Sequence, residues 1–305
     1  MAKDLKTSLP NEFVRNAISL CVSRGKQWIE NIPEIIAALE TKWSIKAGPH
    51  FRRLSYNYVA AATTEDGNAA VLKLALPLKD AEIYSEAAYL KEIAGEGAVK
   101  LLELDRELQA VLVERCVPGA QLRAVCRSVP SKAVPIAIKM LESIRRAKPE
   151  QNEDFIELDD WFDGLRRAEG SAFPRHHAVK ALEFYNELSR DTKNIGLLHG
   201  DFHHENILSA TREKFLVIDP KGIIGHIGYD IAVFLNNYIY WLDRDTRLES
   251  LAHEAVARFA EAFELDREVV RKWAYCQLIL SWWWMSDEMP DLFEEDYAFS
   301  ETWKV

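Results

Sequence analysis

The sequence predicts an α+β fold of two lobes, a small β-rich lobe followed by a larger, mostly helical one. Strand-like segments and one helix make up the first part of the chain, and helical patterns dominate the second. The tripeptide Val117-Pro118-Gly119 separates them, as expected of a joint between lobes. We therefore place an N-terminal lobe (helical leader, antiparallel sheet, one helix) at residues 1–116 and a C-terminal helical lobe at 117–305. A cleft at such a joint is a common place for a ligand.

The leader is predicted from apolar residues at helical spacing between Asn11 and about Trp43. Gly25 and Pro33 interrupt this pattern, and both residue types disfavour a helix interior. We therefore expect two short helices, broken near these two residues.

The rest of the N-terminal lobe is predicted as a hairpin, one helix and two further strands. Segments 56–63 and 69–76 flank Asp66-Gly67, a strong signal for a tight turn between strands. Residues 80–94 show the stripe of an amphipathic helix, for which Asp80 is a plausible N-cap. The segments KLLELD and AVLVERC complete the sheet.

The C-terminal lobe is predicted to be mostly helical, with one strand-loop-strand unit that carries the most unusual motif of the chain. We expect helices at 131–147, 177–190, 246–263 and 267–285, and the strand-loop-strand unit at 197–208 and 214–219.

Composition narrows the class of protein. The 305 residues contain 48% hydrophobic side chains, no apolar signal core at the amino terminus and no apolar run long enough for a membrane span. Four scattered cysteines without a CxxC pair indicate reduced thiols, so we expect a cytoplasmic protein that does not interact with membranes. The net charge of −10 counts against nucleic acid as a partner and is compatible with a cationic small molecule. Composition gives no oligomeric state.

Residues 199–208 read HGDFHHENIL and concentrate three histidines, two carboxylates and one asparagine. Imidazoles and carboxylates so close together suggest a transition-metal site. An Asp followed five residues later by an Asn, however, is also the spacing of a kinase catalytic loop. A metallohydrolase would need further ligands elsewhere, and no HExxH-type helix is present in the sequence. We therefore interpret the histidines as scaffold, with His199 bracing the loop backbone and His203 and His204 pointing in different directions.

Five polar residues have the order and spacing that phosphoryl transfer requires. Lys73, on a predicted strand, would clamp the inner phosphates of a nucleotide, and Glu86 on the following helix would hold the lysine by an ion pair. Asp201 would accept or orient the proton of the attacking hydroxyl. Asp219, at the end of an apolar strand, and the amide oxygen of Asn206 would supply oxygen ligands to magnesium. Each residue has an ordinary structural explanation when taken alone, and it is the complete set that favours this chemistry.

With these residues in hand, the chain resembles the aminoglycoside phosphotransferase family, a small-molecule branch of the protein-kinase-like fold. LLHGDFHHENIL is similar to the HGD-x-x-x-x-N loop of that family, and VIDPKG stands where protein kinases carry DFG. IDPKGIIGHIGYDIAVFLNN and WIENIPEIIAALETKW most resemble its streptomycin 6-kinase and hydroxyurea phosphotransferase-like group. The resemblance runs from about Pro10 to about Trp284. It implies a bilobal protein-kinase-like fold and a kinase that uses ATP and Mg2+.

Transferred to this chain, the resemblance implies that Asp201 is the catalytic aspartate and that Lys73 contacts the phosphates of ATP. It also implies that Asn206 and Asp219 bind magnesium.

The resemblance further implies a hinge at the end of AVLVERC, where backbone groups near Glu114 to Cys116 would meet adenine. Asp230 would brace the catalytic loop. The chain departs from the family at two points: no glycine-rich segment precedes the hairpin, and His204-Glu205 replaces the Pro-Gly common in the loop.

We therefore expect ATP-dependent phosphorylation of a hydroxyl on a small molecule, an aminoglycoside such as streptomycin in the first instance. A metabolite acceptor such as an amino alcohol or a sugar, and a nucleotide-binding module without turnover, are the alternatives. Tryptophans and acids near the C-terminus could contact the acceptor, although successive helical residues step by about 100° and cannot all share one face. These residues are Trp282, Trp283, Trp284, Asp287, Glu288, Asp291, Glu294, Glu295 and Asp296.

Overall fold

The chain divides into two compact units, one ending at Gly119 and the other beginning at Ala120. Three residues separate this division from the boundary expected after Cys116. The structure, a computed structural model, describes residues 9–78, 82–146, 149–168, 173–243, 245–286 and 301–303. The proposed cap Asp80 and the acidic residues from Asp287 to Asp296 lie outside the described residues.

A five-stranded antiparallel sheet forms the first unit, with the strand order β1-β2-β3-β5-β4. The predicted hairpin is present, since β2 and β3 pair from Tyr58↔Leu74 to Thr63↔Ala69 around Gly67, whose φ is +79°. Its elements are β1 (Ile45–His50), β2 (Tyr58–Thr64), β3 (Ala69–Leu74), α2 (Ile83–Ile93), β4 (Leu101–Asp105) and β5 (Ala110–Glu114), preceded by α1 (Asn11–Trp43).

The edge strand β1 was not expected from the sequence. Its residues IKAGPH contain Gly48 and Pro49, which normally argue against a strand. At the edge of a sheet, however, a proline is tolerated, because its missing N–H can face away from the neighbouring strand. The pairing with β2 also shifts register between Ala47 and His50, close to Pro49. The strand therefore forms because of its place in the sheet.

Of the two breaks expected in the leader, the one near Pro33 is wrong, because Pro33 lies inside the helical element α1. The chain does change direction near Gly25. The ring centroids of Phe13 and Trp28, on either side of it, are only 5.8 Å apart. In a straight helix two residues fifteen positions apart are separated by about 22 Å. Gly25 permits the reversal, since a Cβ there would collide with the carbonyl group of Ala17.

We expect the substitution Gly25→Ala to destabilise the first unit. In a straight, exposed helix the same change stabilises by about 0.5 to 1 kcal/mol because alanine loses less backbone entropy. Here the added methyl group meets the backbone of Ala17, and overpacking of this kind costs about 1 to 3 kcal/mol. Urea unfolding of the variant and the parent protein measures the difference. A more stable variant would contradict the reversal at this residue.

The second unit contains a three-stranded sheet in the order β6-β10-β7, a two-stranded sheet β8-β9, and helices. The four predicted helices and the strand-loop-strand unit are all present. The elements are α3 (Leu122–Val125), α4 (Ala133–Ile144), β6 (Ile156–Glu157), α5 (Leu158–Arg166), α6 (Arg175–Leu188), β7 (Ile195–Leu198), β8 (Ile207–Ser209), β9 (Phe215–Val217), β10 (Ile223–His226), α7 (Gly228–Trp241), α8 (Leu248–Ala262) and α9 (Arg267–Ser286).

Helix α7 is the main helix that the sequence pattern did not reveal. Its residues GYDIAVFLNNYIYW are buried on nearly every side, so the apolar residues show no single stripe. It packs against α8 and α9 at the centre of the second unit. Within the described ranges, no helix is both long and apolar enough to cross a membrane.

Candidate active site

In the first unit, the side chains of Lys73 and Glu86 form an ion pair. Lys73 is the fifth residue of β3, the strand between β2 and β5, and Glu86 lies in the first turn of α2. Each residue is only 6% exposed. Because an unpaired charge is costly to bury, the pairing stabilises both side chains in a fixed position. The ion pair between Lys73 and Glu86 that the sequence predicts is therefore present in the structure.

The segment expected to act as a hinge begins where β5 ends at Glu114. The Glu114 carboxylate accepts a hydrogen bond from the backbone N–H of Lys100 at 3.1 Å, and its own N–H donates to the Lys100 carbonyl at 2.9 Å. The backbone N–H of Arg115 donates to Ala69 at 3.2 Å. Cys116 is buried. The Glu114 side chain is thus engaged within its own sheet, and adenine binding at this segment remains a proposal that concerns its backbone.

In the second unit, a buried carboxylate holds the start of the HGD motif. Asp230, in the first turn of α7, accepts hydrogen bonds from the backbone N–H groups of His199 and Gly200, each at 2.7 Å. Burial raises the pKa of Asp230 to about 7, against the opposing effect of these two donors. Gly200 has a φ of +82°, and a Cβ there would collide with Ile223. The loop conformation therefore requires glycine at this position.

The His199 side chain connects the loop to the end of β9. Its Nε2–H donates to the carbonyl of Ile218 at 2.9 Å, and its Nδ1 accepts from the backbone N–H of Asp201 at 3.2 Å. The residue is completely buried, and burial lowers its pKa to about 4. His199 is therefore a neutral imidazole whose two nitrogens are both occupied by the backbone, which leaves none to bind a metal ion.

We expect the stability of the protein to decrease as the pH falls from about 6.5 to about 4, partly because of His199. In this window the unfolded chain takes up a proton on the imidazole, whereas the folded chain with its lowered pKa does not. One such group contributes at most about 1.4 kcal/mol per pH unit. The free energy of unfolding, measured with urea at several pH values in this window, should change less with pH for His199→Gln than for the parent protein. Equal slopes would contradict the assignment.

Asp201 and Asn206 are directly linked within the loop. The Nδ2 of Asn206 donates to the backbone carbonyl and to the Oδ2 of Asp201, both at 3.0 Å. Since the amide nitrogen is used in this way, the amide oxygen of Asn206 is free to act as a ligand. The side chain of Asp201 is 39% exposed, and its Oδ1 lies 3.5 Å from the Nε2 of His203.

The carboxylate of Asp201 is ionised at neutral pH. Burial would raise its pKa, but the hydrogen bond of His203, its largest lowering influence, and the charge of Lys221 help to outweigh burial and lower the pKa to about 2. A partly exposed, ionised carboxylate that can accept a hydrogen bond from an incoming hydroxyl is suited to orient that hydroxyl.

Asp219 adopts a left-handed backbone conformation, with a φ of +59°. This conformation costs about 1 to 2 kcal/mol for a residue other than glycine, and such strain clusters at functional sites. Its neighbours attach it to the loop, because the N–H of Ile218 donates to Asn206 at 3.0 Å and the N–H of Lys221 donates to His199 at 2.6 Å. The backbone on both sides of Asp219 is therefore hydrogen-bonded to the loop that carries Asn206.

The donor atoms of Asn206 and Asp219 suit a hard cation. Carboxylate and amide oxygens are the protein ligands that magnesium prefers, and this ion usually takes only one or two of them. Among the residues that the structure describes, no three His, Cys, Asp or Glu side chains converge to hold a metal ion by themselves.

Two features near the loop were not identified from the residues alone. The first is the contact of His203 with Asp201. The only hint of it in the sequence is that the two residues are two positions apart. His204 is buried, stacks on Trp241 with a centroid distance of 5.1 Å and has no hydrogen-bond partner on its ring within the described ranges. Burial lowers its pKa to about 3, so this histidine is a neutral packing residue. His203 contacts Asp201 whereas His204 packs on Trp241, so the two side chains point in different directions, as expected.

Comparison with solved structures identifies the fold. Choline kinase LicA from Streptococcus pneumoniae aligns over 90% of this chain and 98% of its own, with a TM-score of 0.60 and 16% identity. Amicoumacin kinase hAmiN, solved in complex with AMP-PNP, Ca2+ and Ami, aligns over 84% and 86%, with a TM-score of 0.58 and 15% identity. The chain has the protein-kinase-like fold.

Comparison with known sequences gives the family. A streptomycin 6-kinase from Streptomyces griseus is 27% identical over 303 residues, which cover 91% of each chain. A hydroxyurea phosphotransferase from Kitasatospora aureofaciens is 26% identical over 299 residues, which cover 96% of this chain and 85% of the relative. Residues 44–288, well over half of the chain, match the family of aminoglycoside/hydroxyurea antibiotic resistance kinases. The chain belongs to this family and is a small-molecule phosphotransferase.

Proposed function

We propose that the protein transfers the terminal phosphoryl group of ATP to a hydroxyl of an aminoglycoside such as streptomycin. The observation that carries this proposal is the direct hydrogen bond between Asn206 and the ionised carboxylate of Asp201. The residues on either side of Asp219 are bonded to the same loop through their backbone N–H groups. Phosphoryl transfer depends mainly on positioning and charge stabilisation, and a hydrogen-bonded loop of this kind provides both.

Each residue has a defined task in this proposal. Asp201 orients the acceptor hydroxyl and accepts its proton, and its low pKa keeps it ionised across the working pH range. Asn206 and Asp219 would hold magnesium, which neutralises the charge of the phosphates when it is bound. Lys73 contacts the phosphates, and Glu86 fixes the direction of the lysine side chain.

The hinge completes the nucleotide site of this proposal. Backbone groups between Glu114 and Cys116 would contact the adenine ring. This assignment rests on the resemblance to the family and on the place of the segment at the end of β5.

The choice of streptomycin rests on similarity and charge. Streptomycin 6-kinase is the activity named for a relative that aligns over nine-tenths of the chain, and the net charge of −10 suits a cationic acceptor. Hydroxyurea is the second candidate, because a hydroxyurea phosphotransferase aligns equally well. Both candidates require the same chemistry at Asp201.

Acceptor-dependent formation of ADP tests the proposal. The purified protein is assayed with Mg-ATP and one of streptomycin, hydroxyurea, choline or a neutral sugar, and the products are identified by mass spectrometry. We expect ADP formation and a phosphorylated product with streptomycin. Phosphorylation of another member of the panel and not of streptomycin would show that the proposed acceptor is wrong and that the proposed kinase chemistry is right. Nucleotide binding without transfer to any member would contradict the proposal.

We expect the variant Glu86→Gln to bind ATP about tenfold more weakly, judged by the KM for ATP. The substitution removes the charge of Glu86 from its ion pair with the buried Lys73, and breaking a buried ion pair costs about 3 to 5 kcal/mol, shared between stability and function. Glu92→Gln on the same helix is the control, since Glu92 is less buried and pairs with no cation among the described residues. An unchanged KM in a folded Glu86→Gln variant would remove Glu86 from the nucleotide site.

A further inference from the structure

Three aromatic side chains form a continuous row in the second unit. The ring of Tyr229 meets Trp161 edge to face at a centroid distance of 5.8 Å, and Trp161 meets Trp284 in the same way at 5.0 Å. Exposure increases along the row, because Tyr229 is 1% exposed, Trp161 is half-buried and Trp284 is 42% exposed. The row, defined by these three residues, thus leads from the interior to the surface.

The buried end of the row lies next to the catalytic loop. Tyr229 directly precedes Asp230, whose carboxylate binds the N–H groups of His199 and Gly200, the two residues before Asp201. The pKa of Tyr229 is raised well above its ordinary value, mainly by burial and further by the charges of Asp201 and Asp230. The row therefore begins close to the loop that carries Asp201.

The neighbouring tryptophans of α9 point elsewhere, so the position of Trp284 is specific. Trp282 is 1% exposed and its indole N–H donates to the hydroxyl of Tyr240 at 3.1 Å. Trp283 packs edge to face on Phe173 at 5.7 Å. A tryptophan needed only for the core would be buried as Trp282 is, whereas Trp284 presents much of its ring to solvent.

The helix that carries Trp161 also carries negative charge that is not neutralised. In the first turn of α5, Asp159 pairs with Arg166 at 2.9 Å. Asp160 is exposed and forms no ion pair among the described residues, and its charge contributes to a raised pKa of Glu157. Asp160 directly precedes Trp161 in the chain, so its negative charge lies near the indole ring and would attract a cation there.

We infer that Trp161 and Trp284 form the acceptor subsite and bind the face of a cationic ring, such as a sugar or cyclitol that carries amino or guanidino groups. This inference rests on the proposed function and adds the residues that select the acceptor. An aromatic face attracts both the C–H groups of a sugar ring and a nearby cation, and the charge of Asp160 strengthens the second attraction. A neutral acceptor would gain only the first contribution.

Binding of streptomycin in the absence of nucleotide tests this inference directly. Isothermal titration of the complete protein with streptomycin should show binding that weakens roughly tenfold in Trp161→Ala and in Trp284→Ala, the range expected for a contact between a cation and an aromatic face. Trp161→Phe should recover most of the affinity. In turnover assays the loss should appear in the KM for streptomycin, with the KM for ATP unchanged.

The variant Trp283→Ala is the matched control. Trp283 is the adjacent tryptophan of the same helix, but it packs on Phe173 and is not part of the row. It should bind streptomycin as the parent protein does, and the melting temperature of each variant identifies any loss of folding. Unchanged affinity in folded Trp161→Ala and Trp284→Ala would overturn the inference while leaving the kinase function in place. Failure of the parent protein to bind streptomycin would overturn it too, and transfer of phosphate to a neutral acceptor would then still support the proposed chemistry.

Discussion

Replacement of Asp201 by alanine is expected to lower kcat by between about a hundredfold and ten-thousandfold, the range typical of a lost general base. The side chain is the partly exposed, ionised carboxylate of the loop, with a pKa lowered to about 2, and the substitution removes the group proposed to receive the proton of the acceptor. Single-turnover measurements with the acceptor found in the panel assay would give the rate directly.

The affinity for Mg-ATP should be nearly unchanged in Asp201→Ala, because the proposed nucleotide contacts lie at Lys73, Asn206 and Asp219. Asp201→Asn is the conservative companion, since it keeps the size of the side chain and removes its charge. Equal turnover by the parent protein and by either folded variant would show that Asp201 takes no part in the proton transfer. Loss of nucleotide binding in Asp201→Asn would instead assign it to the metal site.

The elements predicted correctly are those whose local pattern decides their structure. The hairpin around Gly67 follows from turn chemistry between two apolar strands. The amphipathic helices α2, α6 and α8 each show one apolar face. In all of these, neighbours along the chain contain the information that fixes the backbone.

The elements that were missed depend on distant parts of the chain. Helix α7 is buried on nearly all sides and has no stripe, and β1 forms at an edge that tolerates Pro49. The reversal of α1 near Gly25 is recognisable only from the contact between Phe13 and Trp28. The break near Gly25 was predicted from the sequence, but the tight packing of the two helical segments against each other was not.

The candidate site divides along the same line. The contact between Asp201 and Asn206 could be predicted from HGDFHHEN, because residues five positions apart in a loop can easily reach each other. The brace at Asp230 is about thirty residues away, and only the resemblance to the family pointed to it. The row of Tyr229, Trp161 and Trp284 joins three helices and has no signature in the sequence.

The variant Asp219→Gly is expected to lose phosphoryl transfer without losing stability. Its φ of +59° is strained for aspartate and unstrained for glycine, so relief of about 1 to 2 kcal/mol offsets the flexibility that glycine adds to the unfolded chain. Removal of the carboxylate deprives the proposed magnesium site of its charged ligand. We expect the melting temperature to be equal or higher and the magnesium concentration for half-maximal activity to rise at least tenfold, where any activity remains.

The matched control for this variant is Glu264→Gly. Glu264 has a similar φ of +53° and is exposed near the end of α8, away from the loop, so glycine relieves the same strain there and should leave turnover and its dependence on magnesium as they are in the parent protein. Asp219→Asn separates charge from conformation, because asparagine tolerates the left-handed region but is a weaker ligand for a hard cation. If Asp219→Gly retained full activity at low magnesium, Asp219 would not be a metal ligand, and its strained backbone would require another explanation.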